Sequence, residues 1–88
     1  MDIEVEIEIR IIAKLSRRPV YLKIMRLLKE PKYTRELLAY LPEWQRTHRR
    51  LKELEAIGLV KRWRGERKRV YQGLTERGLG VLELMEGI

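Results

Sequence analysis

Apolar and polar positions alternate strictly over residues 3–9, which read Ile-Glu-Val-Glu-Ile-Glu-Ile. A period of two with β-branched residues predicts a half-buried strand within residues 1–10. Ile3, Val5, Ile7 and Ile9 would face inward and Glu4, Glu6 and Glu8 outward. From Arg10 the period lengthens, and Ile11, Ile12 and Leu15 predict a short helix ending near Arg17 and Arg18. Pro19 suits the first turn of a new helix, because its missing N–H would be unpaired there anyway. Val20, Leu22, Ile24, Met25, Leu27 and Leu28 form that helix's apolar face, and Pro31 closes it. Thr34 then caps a short helix from Arg35 to about Leu41, with Leu37, Leu38 and Leu41 inward. Pro42 stops it, leaving a tight turn before Trp44–Ile57, where Thr47, Leu51, Leu54 and Ile57 share one face. Gly58 stands where a helix end needs positive φ. Two helices so closely joined make a helix-turn-helix over residues 34–57.

Leu59–Trp63 and Arg67–Tyr71 read as two strands about Gly65-Glu66, a type II′ hairpin within residues 59–72. That register opposes Arg64 to Arg67, Arg62 to Arg69, Val60 to Tyr71 and Trp63 to Lys68. Like charges across a ladder repel, and an anion against that face would relieve them. Thr75 caps a last helix over residues 75–87, with Leu74 stapled onto Leu79. Its apolar positions, among them Leu79, Val81, Leu82, Leu84, Met85 and Ile88, spread over a wide arc. The expected fold is α+β and mainly α, with a two-stranded hairpin and an additional N-terminal strand.

Eighty-eight residues support one core, so residues 1–88 form a single domain. With no cysteine there is no disulfide framework, thiolate metal site or thiol nucleophile. Apolar runs fall far short of the ~20 residues that span a bilayer. No small-residue cleavage site follows an apolar stretch near Met1. A cytoplasmic chain without membrane contact is expected.

Charge changes the picture more. Residues 44–73 hold ten basic residues and three acids, a net of +7 that equals the charge of the whole chain. The remaining residues are balanced. A cysteine-free chain with 38% charged residues resembles hyperthermophilic proteins in composition. That likeness accounts for dense charge but not for a one-sided distribution, so a polyanion is the expected partner.

Catalysis is not expected. Glu4, Glu6 and Glu8 would lie about 6–7 Å apart on one strand face, with no neighbouring His to complete a metal shell. His48 is the only histidine. No nucleophile with an adjacent base and no glycine-rich phosphate loop can be assembled, so neither metal nor cofactor is expected.

The order of elements resembles the winged helix-turn-helix family over about residues 11–86. Leu15-Ser16-Arg17-Arg18-Pro19-Val20-Tyr21-Leu22-Lys23-Ile24 is similar to the entry of arsenical-repressor-type (ArsR-like) domains. Thr34-Arg35-Glu36-Leu37-Leu38 resembles the start of the positioning helix. Leu51-Lys52-Glu53-Leu54-Glu55-Ala56-Ile57-Gly58-Leu59-Val60 resembles the recognition helix running into the wing, and Tyr71 with Leu74-Thr75-Glu76-Arg77-Gly78 resembles the wing's exit. Thr47 stands where the family usually has an apolar residue. Two residues rather than one separate Tyr71 from Leu74, so the wing's last strand is expected to carry a bulge. The family's metal-sensing residues are absent.

The resemblance implies a DNA-binding transcriptional regulator with its second helix in the major groove. With Thr47, Leu51 and Leu54 inward, Gln45, Arg46, His48 and Arg49 are the base-reading candidates, since Arg pairs with guanine and Gln with adenine. Thr34, Arg35, Arg50 and Lys52 are expected on the DNA backbone. Arg62, Arg64, Arg67, Lys68 and Arg69 are expected on the minor groove or backbone through the wing. So small a domain gains specificity by pairing on a palindrome, which makes a homodimer the expected form. Its interface is assigned to Ile7, Ile11, Leu79, Leu82 and Met85. No small-molecule effector is evident. The alternative is a winged-helix protein-interaction module in a larger assembly, which would not need the +7 patch. RNA is disfavoured because aromatics are few and no stacking platform is visible in the sequence.

Overall fold

The computed structural model describes residues 3–41 and 43–87. Pro42, Ile88 and the side chain of Ile7, one of the assigned interface residues, lie outside what is described. Among the described residues, five helices and a three-stranded antiparallel sheet follow the order α1 (Ile3–Ser16), α2 (Pro19–Leu27), β1 (Lys32–Tyr33), α3 (Thr34–Tyr40), α4 (Trp44–Ala56), β2 (Val60–Arg64), β3 (Val70–Leu74) and α5 (Glu76–Glu86). The fold is α+β and mainly helical, as expected. In the sheet, β3 is central between β1 and β2.

Residues 3–9 are not a strand. They form the first half of α1, whose second half is docked by buried Leu15 and half-buried Ile11 and Ile12. A helix extended from that anchor pairs its amides within the segment, whereas a strand needs a sheet edge to pair with. Glu6 precedes Arg10 by one turn, the favourable order for an acid–base pair on a helix. Ile9 is consequently 52% exposed.

Pro19 opens α2 as anticipated. α3 begins one residue early, with Thr34 as its first residue and the Tyr33 N–H donating to Glu36 Oε1 at 3.2 Å. α4 buries Thr47, Leu51 and Leu54, and at its end Gly58 takes φ 82°. The Thr75 hydroxyl caps α5, accepting from the Gly78 N–H at 2.9 Å while donating to the Gly58 carbonyl at 2.6 Å. Arg77 Nη1 donates to the Ile57 carbonyl at 3.0 Å, so α5 satisfies carbonyls that α4 leaves unpaired. The contact is tight: a Cβ on Gly78 would lie 2.1 Å from the Leu59 carbonyl oxygen.

One core joins the helices to the sheet. Ile24, Met25, Leu28, Leu37, Leu54, Leu59, Val81 and Leu82 are its fully buried residues, each contributing about 1.5–3 kcal/mol by leaving water. Two assigned interface residues belong to this core. Leu82 is 0% exposed and Met85 8%, so neither has surface to offer a second copy, whereas Leu79 is 40% exposed. Of the apolar arc of α5, Val81, Leu82 and Met85 are used within the chain, where α1, α2 and β3 pack against the helix, while Leu79 and Leu84 stay exposed.

Candidate nucleic-acid interface

The hairpin register departs from expectation by three residues. Trp63 pairs with Tyr71, Arg62 with Gln72, Arg64 with Val70 and Val60 with Leu74. A loop over residues 65–69, built on a single 3₁₀ turn at Glu66–Lys68, replaces the two-residue turn. The Gly65 N–H donates to the Arg69 carbonyl at 2.9 Å and closes the loop. No Arg–Arg pair sits across this ladder, so the expected repulsion between strands is absent. The expected bulge is absent too, because pairing is unbroken from Val60↔Leu74 to Arg64↔Val70. The slip puts Trp63 beside Tyr71 rather than Lys68, and cross-strand aromatic pairs stabilise a sheet where opposed cations do not. The loop instead holds Arg67 and Lys68 in the left-handed region, at φ 56° and 59°.

Cations stand exposed on both supports. Along α4, Gln45, Arg46, Arg49 and Lys52 are exposed. Arg46 Nη1 reaches Glu43 at 3.2 Å, a weak pair because both side chains are more than two-thirds exposed. His48 is half-buried with its ring 5.1 Å from that of Trp44, which holds it partly against the helix. Arg50 lies over the Tyr21 ring at 5.3 Å. The Tyr21 hydroxyl donates to Glu53. Burial pushes that hydroxyl's pKa above the usual tyrosine value, Glu53 raises it further, and Arg50 opposes the rise. Arg50 is therefore tied into α2–α4 packing rather than extended freely towards a phosphate.

Arg62, Arg64, Arg67, Lys68 and Arg69 are all exposed on the hairpin, as is Lys61, which the sequence pattern did not single out. Of the remaining backbone candidates, Arg35 is exposed. Thr34 is not available in the same way: its hydroxyl donates to the Val70 carbonyl and accepts from Gln72 Nε2, both at 3.4 Å. It bridges α3 to β3.

The sequence also hid an aromatic row. Tyr33, Tyr71 and Trp63 stand opposite one another on three adjacent strands. Direct partners share a sheet face, so all three rings lie together. Only the true register, together with β1, which the periodicity did not predict, reveals this.

An open groove between α2 and the first turn of α4 has Val20, Leu22 and Leu27 along it and Lys23, Arg26, Arg46 and Arg50 among its lining. No helix among the described residues is long and apolar enough to cross a membrane. Among those residues there is also no cluster of three His, Asp or Glu that could hold a metal ion. No family model, curated protein or solved structure matches the chain.

Proposed function

We propose that the chain is a winged helix-turn-helix regulator, ArsR-like in arrangement, that binds duplex DNA sequence-specifically as a homodimer. α3 and α4 would form the helix-turn-helix and β2–β3 the wing. One observation carries the reading: the segment holding the entire net charge folds into two adjoining elements, α4 and the hairpin, that are anchored through buried Leu51, Leu54, Val60 and Leu74 and leave every cation except half-buried Arg50 exposed. Gln45, Arg46 and Arg49 have the donor chemistry to read base edges in a major groove. Lys52, Arg62, Arg64, Arg67, Lys68 and Arg69 would neutralise phosphates. A dimer would draw on the exposed apolar residues Ile9 and Leu79 rather than on Leu82 or Met85.

Selection of bound sequences from random duplex DNA tests specificity and symmetry together. A palindromic consensus is the expected outcome, with sedimentation equilibrium giving the mass of two chains. A clean monomer bound to an asymmetric site would remove the dimer. Absence of duplex binding even at low salt would leave the interaction-module alternative.

A further inference from the structure

The outer face of the hairpin sheet carries a feature that duplex binding does not use. The core-facing side is marked by Val60, Gln72 and Leu74, all buried. The row of Tyr33, Tyr71 and Trp63 occupies the opposite side, because pairing partners alternate between faces. The Trp63 and Tyr71 rings are inclined by only 14° with centroids 6.0 Å apart, and Tyr33 meets Tyr71 edge-on at 6.0 Å. Gly73 makes room for the indole: a Cβ there would lie 3.2 Å from it, with Pro31 also alongside. Trp63 nonetheless remains 37% exposed. Cations lie over rings of the row, Lys61 Nζ above the Trp63 indole at 5.6 Å from its centre and the Arg69 guanidinium above the Tyr33 ring at 4.4 Å.

We propose that this face binds unpaired bases of a single-stranded nucleic acid, stacking them on Trp63 and Tyr71 while Lys61 and Arg69 meet the adjoining phosphates. An arriving base would displace the flexible Lys61 side chain from above the indole towards its phosphate. The proposal rests on reading the basic hairpin as a nucleic-acid surface, and extends it to a second form of ligand. An aromatic surface bordered by lysine and arginine repels a cationic ligand and suits a flat ring joined to an anion. Every base has a π-face, so such stacking tolerates sequence. Bases paired within a duplex have their faces occupied by their neighbours and cannot use it.

Tryptophan fluorescence provides the test. Trp44→Phe leaves Trp63 as the sole tryptophan. Short oligothymidylate should quench its emission, whereas a duplex should bind, read by anisotropy of labelled DNA, without comparable quenching. Trp63→Leu should weaken single-strand binding roughly tenfold with little change for duplex, and Trp63→Phe should retain most of the affinity. Oligouridylate run in parallel identifies the strand: quenching by either supports the platform, and the stronger names DNA or RNA. A single strand that binds without quenching, or that binds Trp63→Leu as tightly as its parent, overturns the proposal. Quenching by single strands with no duplex binding would overturn the duplex reading alone, and duplex binding with no response to single strands would overturn the platform alone. If neither binds, both fall. Thermal melts of the two Trp63 variants separate loss of fold from loss of stacking, since Trp63→Phe preserves an aromatic ring against Gly73.

Discussion

α4 and the hairpin carry the same sign of charge on supports that are anchored differently. α4 is held by Thr47, Leu51 and Leu54 in the core, so its outward side chains keep the fixed spacing of a helix. On β2 only Val60 is buried, and beyond Arg64 the chain enters a loop with two left-handed cationic residues. Base recognition requires donors held within a narrow geometry, whereas phosphate contacts tolerate a mobile charge. Under the proposed DNA-binding reading the two elements would divide the work, the helix specifying and the hairpin attaching.

The largest test loosens the anchoring of α4. Leu54 is fully buried, and Leu54→Ala should cost about 2–5 kcal/mol through the apolar volume removed and the cavity left behind. Chemical denaturation would measure it. A variant with parental stability would show that α4 is not anchored as described, and the contrast with the hairpin would vanish. Within a folded protein, Arg49→Ala should weaken DNA binding by about 1–3 kcal/mol per half-site and relax preference at particular positions. Uniform weakening across all sequences would move Arg49 to the phosphates and make the helix resemble the hairpin.

How much was legible differs between regions for a physical reason. α2, α4 and α5 are readable because their boundary signals are local: Pro19 at a first turn, Gly58 at a positive φ, Thr75 as a cap. Residues 3–9 and 60–64 both invited a strand reading, yet only the second is one. A strand depends on a partner, and β2 finds β3 a few residues onward, while residues 3–9 continue into an anchored helix. The hairpin's existence was readable but its register was not, since Gly65-Glu66 looks like a two-residue turn. The aromatic pairing of Trp63 with Tyr71 is a tertiary preference that turn chemistry does not encode. The same slip concealed the ring row and the place of Lys61 beside it. The dimer assignment failed at Leu82 and Met85 because helical periodicity shows which positions are apolar, not whether the same chain already covers them.

A smaller test concerns the attaching element. Arg64 and Arg67 are exposed, one ending β2 and the other within the loop. Changing both to Ser should flatten the fall of log K with log salt by about 0.9 for each phosphate the protein no longer neutralises. The sequence preference that the proposal assigns to α4 should persist. A changed consensus with an unaltered salt slope would invert the assigned division between helix and hairpin.

The smallest effect isolates the strain at the hairpin tip from its charge. Lys68 holds φ 59°, a conformation costing an ordinary L-residue about 1–2 kcal/mol. Glycine adopts it freely but forfeits about 0.5–1 kcal/mol through its greater unfolded-state freedom. Lys68→Gly should therefore leave the protein equally stable or up to about 1.5 kcal/mol more stable, while Lys68→Ala keeps the strain and gains nothing. Both variants remove one cation, so both should reduce the salt slope by about 0.9 if that residue touches a phosphate. Matched slopes with a higher melting temperature for the glycine variant would show that the tip holds its cation against a local preference. A glycine variant that melts below the alanine one would mean the loop does not hold Lys68 left-handed in solution, and the hairpin would then be as well supported as the helix beside it.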